Sequence, residues 1–208
     1  MDSEVTLELS DVVVCRGPRK LGPVSLALHT GECATLVGAN GSGKSSILEA
    51  VAGFLRVESG SIRVVGKKVS ESDAEIEPWQ RGIGWLGQQR GLWPHMTLRE
   101  QAQLLSGTAK SEVLEAMAVD LDLQALIDRH PDQLSGGEAQ RGELLRTLCG
   151  SAPVLLLDEP FSAQNRQQRE RILQVLHKEM ARGRTVLIAL HEQLEGFDAI
   201  HLGDEAEG

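Results

Sequence analysis

Between the apolar run Cys33-Ala34-Thr35-Leu36-Val37 and the helix-forming run Ile47-Leu48-Glu49-Ala50 the chain reads Gly38-Ala39-Asn40-Gly41-Ser42-Gly43-Lys44-Ser45-Ser46. A buried strand that runs into glycines and out into a helix has few architectures open to it. Gly38, Gly41 and Gly43 allow a tight turn whose N–H groups point inward and meet the positive end of the following helix dipole. Such a nest suits polyphosphate. Lys44 is spaced to reach the terminal phosphates as a point charge, and the Ser45 hydroxyl to ligate the Mg²⁺ that accompanies ATP. The alternative, a glycine-rich connection with an exposed lysine, leaves that spacing without a reason.

The 208 residues suit one sizeable domain, or a core with a modest insert. The apolar run Thr185 to Leu190 has the length of a single buried strand and not of a membrane span. The start, Met1-Asp2-Ser3-Glu4-Val5, is acidic and lacks the basic-then-apolar pattern of a signal peptide, so a cytoplasmic protein is expected. Cys15, Cys33 and Cys149 are odd in number, show no metal-like spacing and read as buried thiols. A formal charge of −9 argues against nucleic acid as a partner, because counterion release needs clustered Lys and Arg. The group Arg166, Arg169 and Arg171 reads as a solvated helix face.

Val5 to Leu9, Val24 to Leu28 and Ser61 to Val65 alternate apolar and polar residues and predict half-exposed strands. Cys33 to Val37, Gly84 to Leu86, Val154 to Leu157 and Thr185 to Leu190 predict the strands of a parallel core with helices between them, which makes the fold class α/β with an antiparallel layer beside the core. From Pro94 to Pro131 the period becomes helical. Thr97 and Glu100 are spaced as a capping box, Val113, Leu114, Met117, Ala118 and Leu121 mark one apolar face, Leu104 to Gly107 reads as a helix end, and Asp122 to Ile127 as a further short helix.

Two further segments carry chemistry. Val154-Leu155-Leu156-Leu157-Asp158-Glu159-Pro160 is an apolar strand ending in two carboxylates, a costly arrangement unless the charges meet a cation or move protons. Asp158 is placed to hold Mg²⁺ and Glu159 to polarise a water that attacks the γ-phosphate. In Leu134-Ser135-Gly136-Gly137-Glu138-Ala139-Gln140-Arg141, adjacent glycines at a helix start expose N–H groups, and Ser135 with Glu138 fits a capping box.

With Gly38–Ser46 and Ser135–Glu138 both present, the chain resembles the ATP-binding cassette family over nearly its whole length, in its bacterial importer-like form. The resemblance implies a P-loop NTPase core with a parallel sheet, an antiparallel β subdomain and a small helical insert, as one nucleotide-binding domain over residues 1–208. Within it, about 1–88 and 141–208 would form the ATP-binding core and β subdomain, and about 89–140 the helical subdomain. ATP would bind Gly38, Ala39, Asn40, Gly41, Ser42, Gly43, Lys44, Ser45 and Ser46 of one cassette and Ser135, Gly136, Gly137 and Glu138 of a second, the same or a related chain. Glu159, Gln88 and His191 would be catalytic, with Ser45, Gln88 and Asp158 around Mg²⁺. The implied partner is a membrane permease, with the cassette peripheral on the inner face of the membrane and import favoured. Leu92-Trp93-Pro94-His95-Met96-Thr97 resembles a run found in importer cassettes, although burial of Trp93 in the core is an equal alternative.

The chain also departs from the family. The segment that usually reads Ser-Ala-Leu-Asp is Ser162-Ala163-Gln164-Asn165, the aromatic that stacks on adenine aligns near Cys15, and Gly87 stands where an aromatic is common. The chain stops soon after Leu202, so the C-terminal regulatory domain of many importers is expected to be absent. Two other functions stay open. One is a non-transport cassette ATPase acting on a soluble complex, disfavoured by Leu92 to Thr97 and by the lack of a coiled-coil insertion. The other is a weakly hydrolysing cassette in a heterodimer, motivated by Gln164 and Asn165.

Overall fold

The computed structural model describes residues 4–71, 74–89, 91–106 and 111–202. Contacts divide the chain into two units: Met1–Trp85 with Ala152–Glu159 and Met180–Gly208, and Leu86–Ser151 with Pro160–Glu179.

The first unit opens with a long hairpin, β1 (Val5–Arg16) and β2 (Arg19–His29), in which Leu9 lies opposite Leu26 and Cys15 opposite Lys20. β3 (Cys33–Val37) leads through the glycine-rich turn into α1 (Lys44–Ala52), which is followed by β4 (Val57–Val64), β5 (Lys67–Glu71), the two-residue β6 (Ala74–Glu75) and β7 (Ile83–Leu86). The second unit contributes α2 (Leu98–Ser106), α3 (Ser111–Asp120) and α4 (Gly136–Cys149). The chain then passes through β8 (Val154–Asp158), α5 (Arg166–Ala181), β9 (Thr185–Leu190) and β10 (Asp198–His201). One sheet has the order β2-β1-β4-β5-β6 with antiparallel pairing, and the other β10-β3-β9-β8-β7, with β10, β3, β9 and β8 mutually parallel. The α/β class with its two kinds of sheet is therefore as expected.

The periodicities explain the layers. β3, β8 and β9 are predominantly apolar and buried at every residue, with Thr35, Asp158 and Thr185 as their polar members, as parallel strands covered on both faces must be. β1 and β2 alternate, so that Leu7, Leu9, Val12, Val14, Val24 and Leu28 face the core. α1 buries Ile47, Leu48 and Val51 in the same cluster as Leu36, Leu156 and Leu187. Its C-terminus ends on Gly53 at φ 92°, and the buried Arg81 donates to the Ala50 and Val51 carbonyls at 2.9 and 3.0 Å, satisfying groups the helix leaves open.

In the second unit Thr97 and Glu100 form the expected capping box at the start of α2: the Thr97 N–H donates to the Glu100 carboxylate at 2.8 Å and the Glu100 N–H to the Thr97 hydroxyl at 3.3 Å. Leu114, Met117, Ala118 and Leu121 are buried, but Val113 is exposed and does not belong to that face. Asp122 to Ile127 is not a helix. Asp122 takes φ 58°, which breaks the helical path, and the segment runs on as successive turns closed by Leu123 N–H to the Ala118 carbonyl and Leu126 N–H to the Leu123 carbonyl. Val65 likewise lies past the end of β4, at φ 48°. Gly107, the expected helix end, lies outside the described residues. Cys33 is buried, its thiol pushed up to about 12 by desolvation, whereas Cys15 and Cys149 are only half-buried.

Gln101, Glu143 and Arg146 all bond the backbone of the segment after β7. Gln101 is fully buried on α2, accepts from the Trp93 N–H at 2.9 Å, and donates to the carbonyls of Trp93 and Met96 at 3.0 and 2.9 Å. Trp93 is half-buried beneath the Arg146 guanidinium, 5.0 Å from its ring centre, while His95 is exposed. Replacing Gln101 by leucine strands three backbone groups and is expected to cost about 2 kcal/mol in urea unfolding.

Candidate functional site

The parallel sheet brings three strand ends into line. Val37 lies beside Leu190 and Asp158 beside Ala189, so the glycine-rich turn, His191 and Asp158-Glu159 all leave the carboxyl edge of neighbouring strands. That edge is where open α/β sheets hold ligands.

The turn has the form its glycines predict. Gly41 and Gly43 adopt φ of 83° and 97°, and a Cβ at Gly38 would meet the Ser42 hydroxyl at 2.4 Å and the Leu202 carbonyl at 2.7 Å. Gly43 caps α1, which begins with neither a side-chain cap nor an acid in its first turn. The positive end of the helix is thus open to an anion. Lys44 is buried, and its ammonium curls back to donate to the carbonyls of Gly38 and Ala39 at 2.7 and 2.8 Å. Ser42 Oγ is buried with no hydrogen-bond partner, so the turn carries an unspent polar group.

Asp158 ends β8 almost wholly buried, bonded to the Ser45 side chain. Burial pushes its carboxyl above the usual range, against the lowering effect of the Ser45 bond, and the nearby Glu159 charge adds to the rise. Its Oδ1 has no hydrogen-bond partner. A buried, orphaned carboxylate oxygen beside a serine hydroxyl, at the edge of an anion nest, fits a hard divalent cation shared with phosphate. Among the described residues no three His, Cys, Asp or Glu side chains cluster as a metal cage.

Glu159 follows in the left-handed region, at φ 51°, where its N–H donates to the Ala189 carbonyl at 3.1 Å. That unusual conformation turns the side chain off the strand direction. Its Oε1 lies 2.6 Å from His191 Nε2, with the two side chains 18% and 45% exposed, so the two residues picked from separate strand ends meet.

The remaining candidates lie in the second unit. Gln88 is exposed, two residues past the end of β7. Ser135 caps α4: its hydroxyl accepts from the Glu138 N–H at 3.4 Å and the Glu138 carboxylate accepts from the Ser135 N–H at 2.7 Å, the predicted capping box. That backbone bond holds the Glu138 carboxyl below its usual range. A depressed carboxylate stabilises the fold fully above its ordinary value of about 4.5, and the contribution is lost as pH falls through the lower folded value. The Glu138→Gln chain is accordingly expected to show a shallower loss of stability below pH 4.5 in acid titrations followed by circular dichroism.

Three features were not foreseen in the residues. Arg16, near the end of β1, reaches α1 and donates to Glu49 at 2.5 Å and to Ser46 Oγ at 3.3 Å, which brings a basic side chain rather than an aromatic beside the glycine-rich turn. Only the local run Arg16 to Lys20 hints at it. Gln164 is woven into the start of α4, and Asn165 accepts from the Gln168 N–H at 2.9 Å, so it is engaged with its own helix. Arg169, placed on a solvated face by pattern, instead packs its guanidinium 5.2 Å from the Phe161 ring centre, whereas Arg166 is exposed.

The family described as ABC transporter matches residues 21–162. The maltose/maltodextrin import ATP-binding protein MalK of Escherichia coli K12 is 35% identical over 203 residues, covering 93% of this chain and 51% of the relative. The thiamine import ATP-binding protein ThiQ of Vibrio parahaemolyticus is 38% identical over 181 residues, 83% of this chain and 75% of the relative. The chain spans about half the length of the maltose relatives it matches, 48% for those of Yersinia pestis. Among solved structures, an ATP-binding protein from Pyrococcus furiosus superposes with a TM-score of 0.81 at 19% identity, over 95% of this chain and 97% of that one, a likeness of fold. A dimeric ATP-binding cassette in a post-hydrolysis state with ADP and Pi superposes with a TM-score of 0.74 at 27% identity, over 89% and 88%.

Proposed function

The chain belongs to the ABC transporter family, and from that premise we propose that it binds and hydrolyses ATP as the engine of an import system, paired with a second cassette and docked on a membrane permease. The observation that carries this reading is the convergence of Lys44, Asp158, Glu159 and His191 at the carboxyl edge of one parallel sheet, next to an uncapped helix start. The names of the maltose and thiamine relatives support import as the direction.

In this mechanism the amides of Gly38–Ser46 and the dipole of α1 hold the phosphates of ATP, and Lys44 exchanges its two carbonyl partners for phosphate oxygens. Ser45, Asp158 and Gln88 would hold Mg²⁺, which when bound neutralises charge on the phosphates. Glu159 accepts a hydrogen bond from the attacking water and draws its proton, while His191, already 2.6 Å from that carboxylate, orients it and meets the γ-phosphate. Ser135, Gly136, Gly137 and Glu138 of the second cassette close over the γ-phosphate with helix-terminal N–H groups, so ATP joins two chains and its hydrolysis parts them. About residues 1–88 and 141–208 would serve as the ATP-binding core with its β subdomain and about 89–140 as the helical subdomain, with Leu92–Thr97 bordering the groove that receives the permease.

No helix among the described residues is long and apolar enough to cross a membrane. In the proposed system a separate permease would supply the membrane-spanning part, with this chain on its inner face. The test is copurification in detergent from its native host. Recovery with an integral permease supports the reading, and recovery only in a soluble complex without detergent contradicts it.

A further inference from the structure

The loop between β8 and α5 is bound to the first turn of α4 by a single pair of amides. Gln164 Nε2 donates to the Gly137 carbonyl at 3.0 Å and to Gln140 Oε1 at 2.8 Å, while its Oε1 accepts from Arg141 Nη1 at 3.0 Å. Gln140 completes the lattice by donating to the Ser162 hydroxyl at 3.1 Å and accepting from the Ala163 N–H at 3.3 Å. The backbones are equally close, for a Cβ at Gly137 would stand 2.8 Å from the Ala163 carbonyl. Arg141 is itself buried, and its Nε donates to the Leu121 carbonyl at 2.9 Å, so its desolvated charge relies on Gln164 for one of its few neutral partners.

We propose that Gln164 is a positioning residue for the turn Ser135–Glu138: through Gly137, Gln140 and Arg141 its amide makes that turn and the loop Ser162–Asn165 one rigid surface, and the contact this chain offers to nucleotide on a second cassette depends on that rigidity. The inference rests on the proposed function for the meaning of the turn, but not for the network itself. An amide is needed because both ends are used at once. A leucine there would fill the space and leave Arg141 and the Gly137 carbonyl each short of a partner, and a glutamate would set an acceptor against two acceptors.

The test compares Gln164→Ala, Gln164→Met and Gln164→Glu in the Glu159→Gln chain. Amide exchange of residues 137–140 without nucleotide reads the network directly, ATP affinity of the single chain reads the Lys44 turn, and light scattering with ATP reads association. The expected result is exchange at least tenfold faster at 137–140 and association shifted to at least tenfold higher protein concentration in all three variants, with single-chain ATP affinity within twofold of the parent. Gln164→Met keeps the length and apolar packing, so it separates loss of hydrogen bonds from loss of bulk. Exchange and association both within twofold of the parent would overturn the role of Gln164. A parent that does not associate under ATP contradicts the proposed function instead, and is recognised before any variant is measured.

Discussion

The Glu159→Gln chain is expected to turn over ATP about 10²- to 10⁴-fold more slowly than the native chain, while binding ATP as well and accumulating in the associated state. The substitution keeps the shape of the side chain and its capacity to face His191, but an amide carbonyl is too weak a base to draw a proton from water. Nothing in the Lys44 turn is touched, so nucleotide affinity is spared. Since hydrolysis is the step that would release the partner, slowing it leaves the two cassettes joined. Steady-state phosphate release with Mg²⁺, set beside equilibrium binding of a fluorescent ATP analogue, measures both halves. Equal turnover by the two chains would remove Glu159 from the mechanism and leave its left-handed backbone and its contact with His191 without a catalytic purpose.

Lys44→Ala has the opposite signature. The ammonium is buried and already gathers two carbonyl oxygens at 2.7 and 2.8 Å, so it is held at the turn before nucleotide arrives. Its removal withdraws a full positive charge offered to the terminal phosphates, and a charge-assisted hydrogen bond of about 1.5–3 kcal/mol corresponds to an affinity lower by about ten- to a hundredfold. Turnover falls with it. Isothermal titration with ATP should show the loss most clearly. ADP should suffer less than ATP, because the lysine serves the terminal phosphates. A Lys44→Ala chain with native affinity would mean that the backbone nest alone holds the ligand.

These two expected outcomes separate binding from chemistry along the edge of one sheet, and that edge was largely readable in the residues. Buried parallel strands are apolar runs of five or six residues, and where such a run stops on Asp158-Glu159 or His191 the change in polarity marks the strand end. The glycines of the turn were legible because φ of 83° and 97° at Gly41 and Gly43 leaves little room for other residues. What pattern could not give was anything decided by distant neighbours. β10 is four residues of mixed character that pair with β3 only because both lie in the same sheet. Asp122 to Ile127 has helical spacing, but the backbone turns at Asp122 and the segment settles into turns that cap the end of α3. Val113 has the right period and the wrong side of the helix. The contacts of Gln164 and Arg16 could not be read locally, since they exist only where the loop meets α4 and the hairpin meets α1.

The central claim, that ATP joins two cassettes and an acidic side chain lets them go, is most directly met by light scattering of the Glu159→Gln chain, alone or mixed with the companion cassette of its own transporter. The account predicts twice the single-chain mass with ATP, and the single-chain mass without nucleotide or after Lys44→Ala is added. A single-chain mass under every nucleotide condition and with every companion would contradict it.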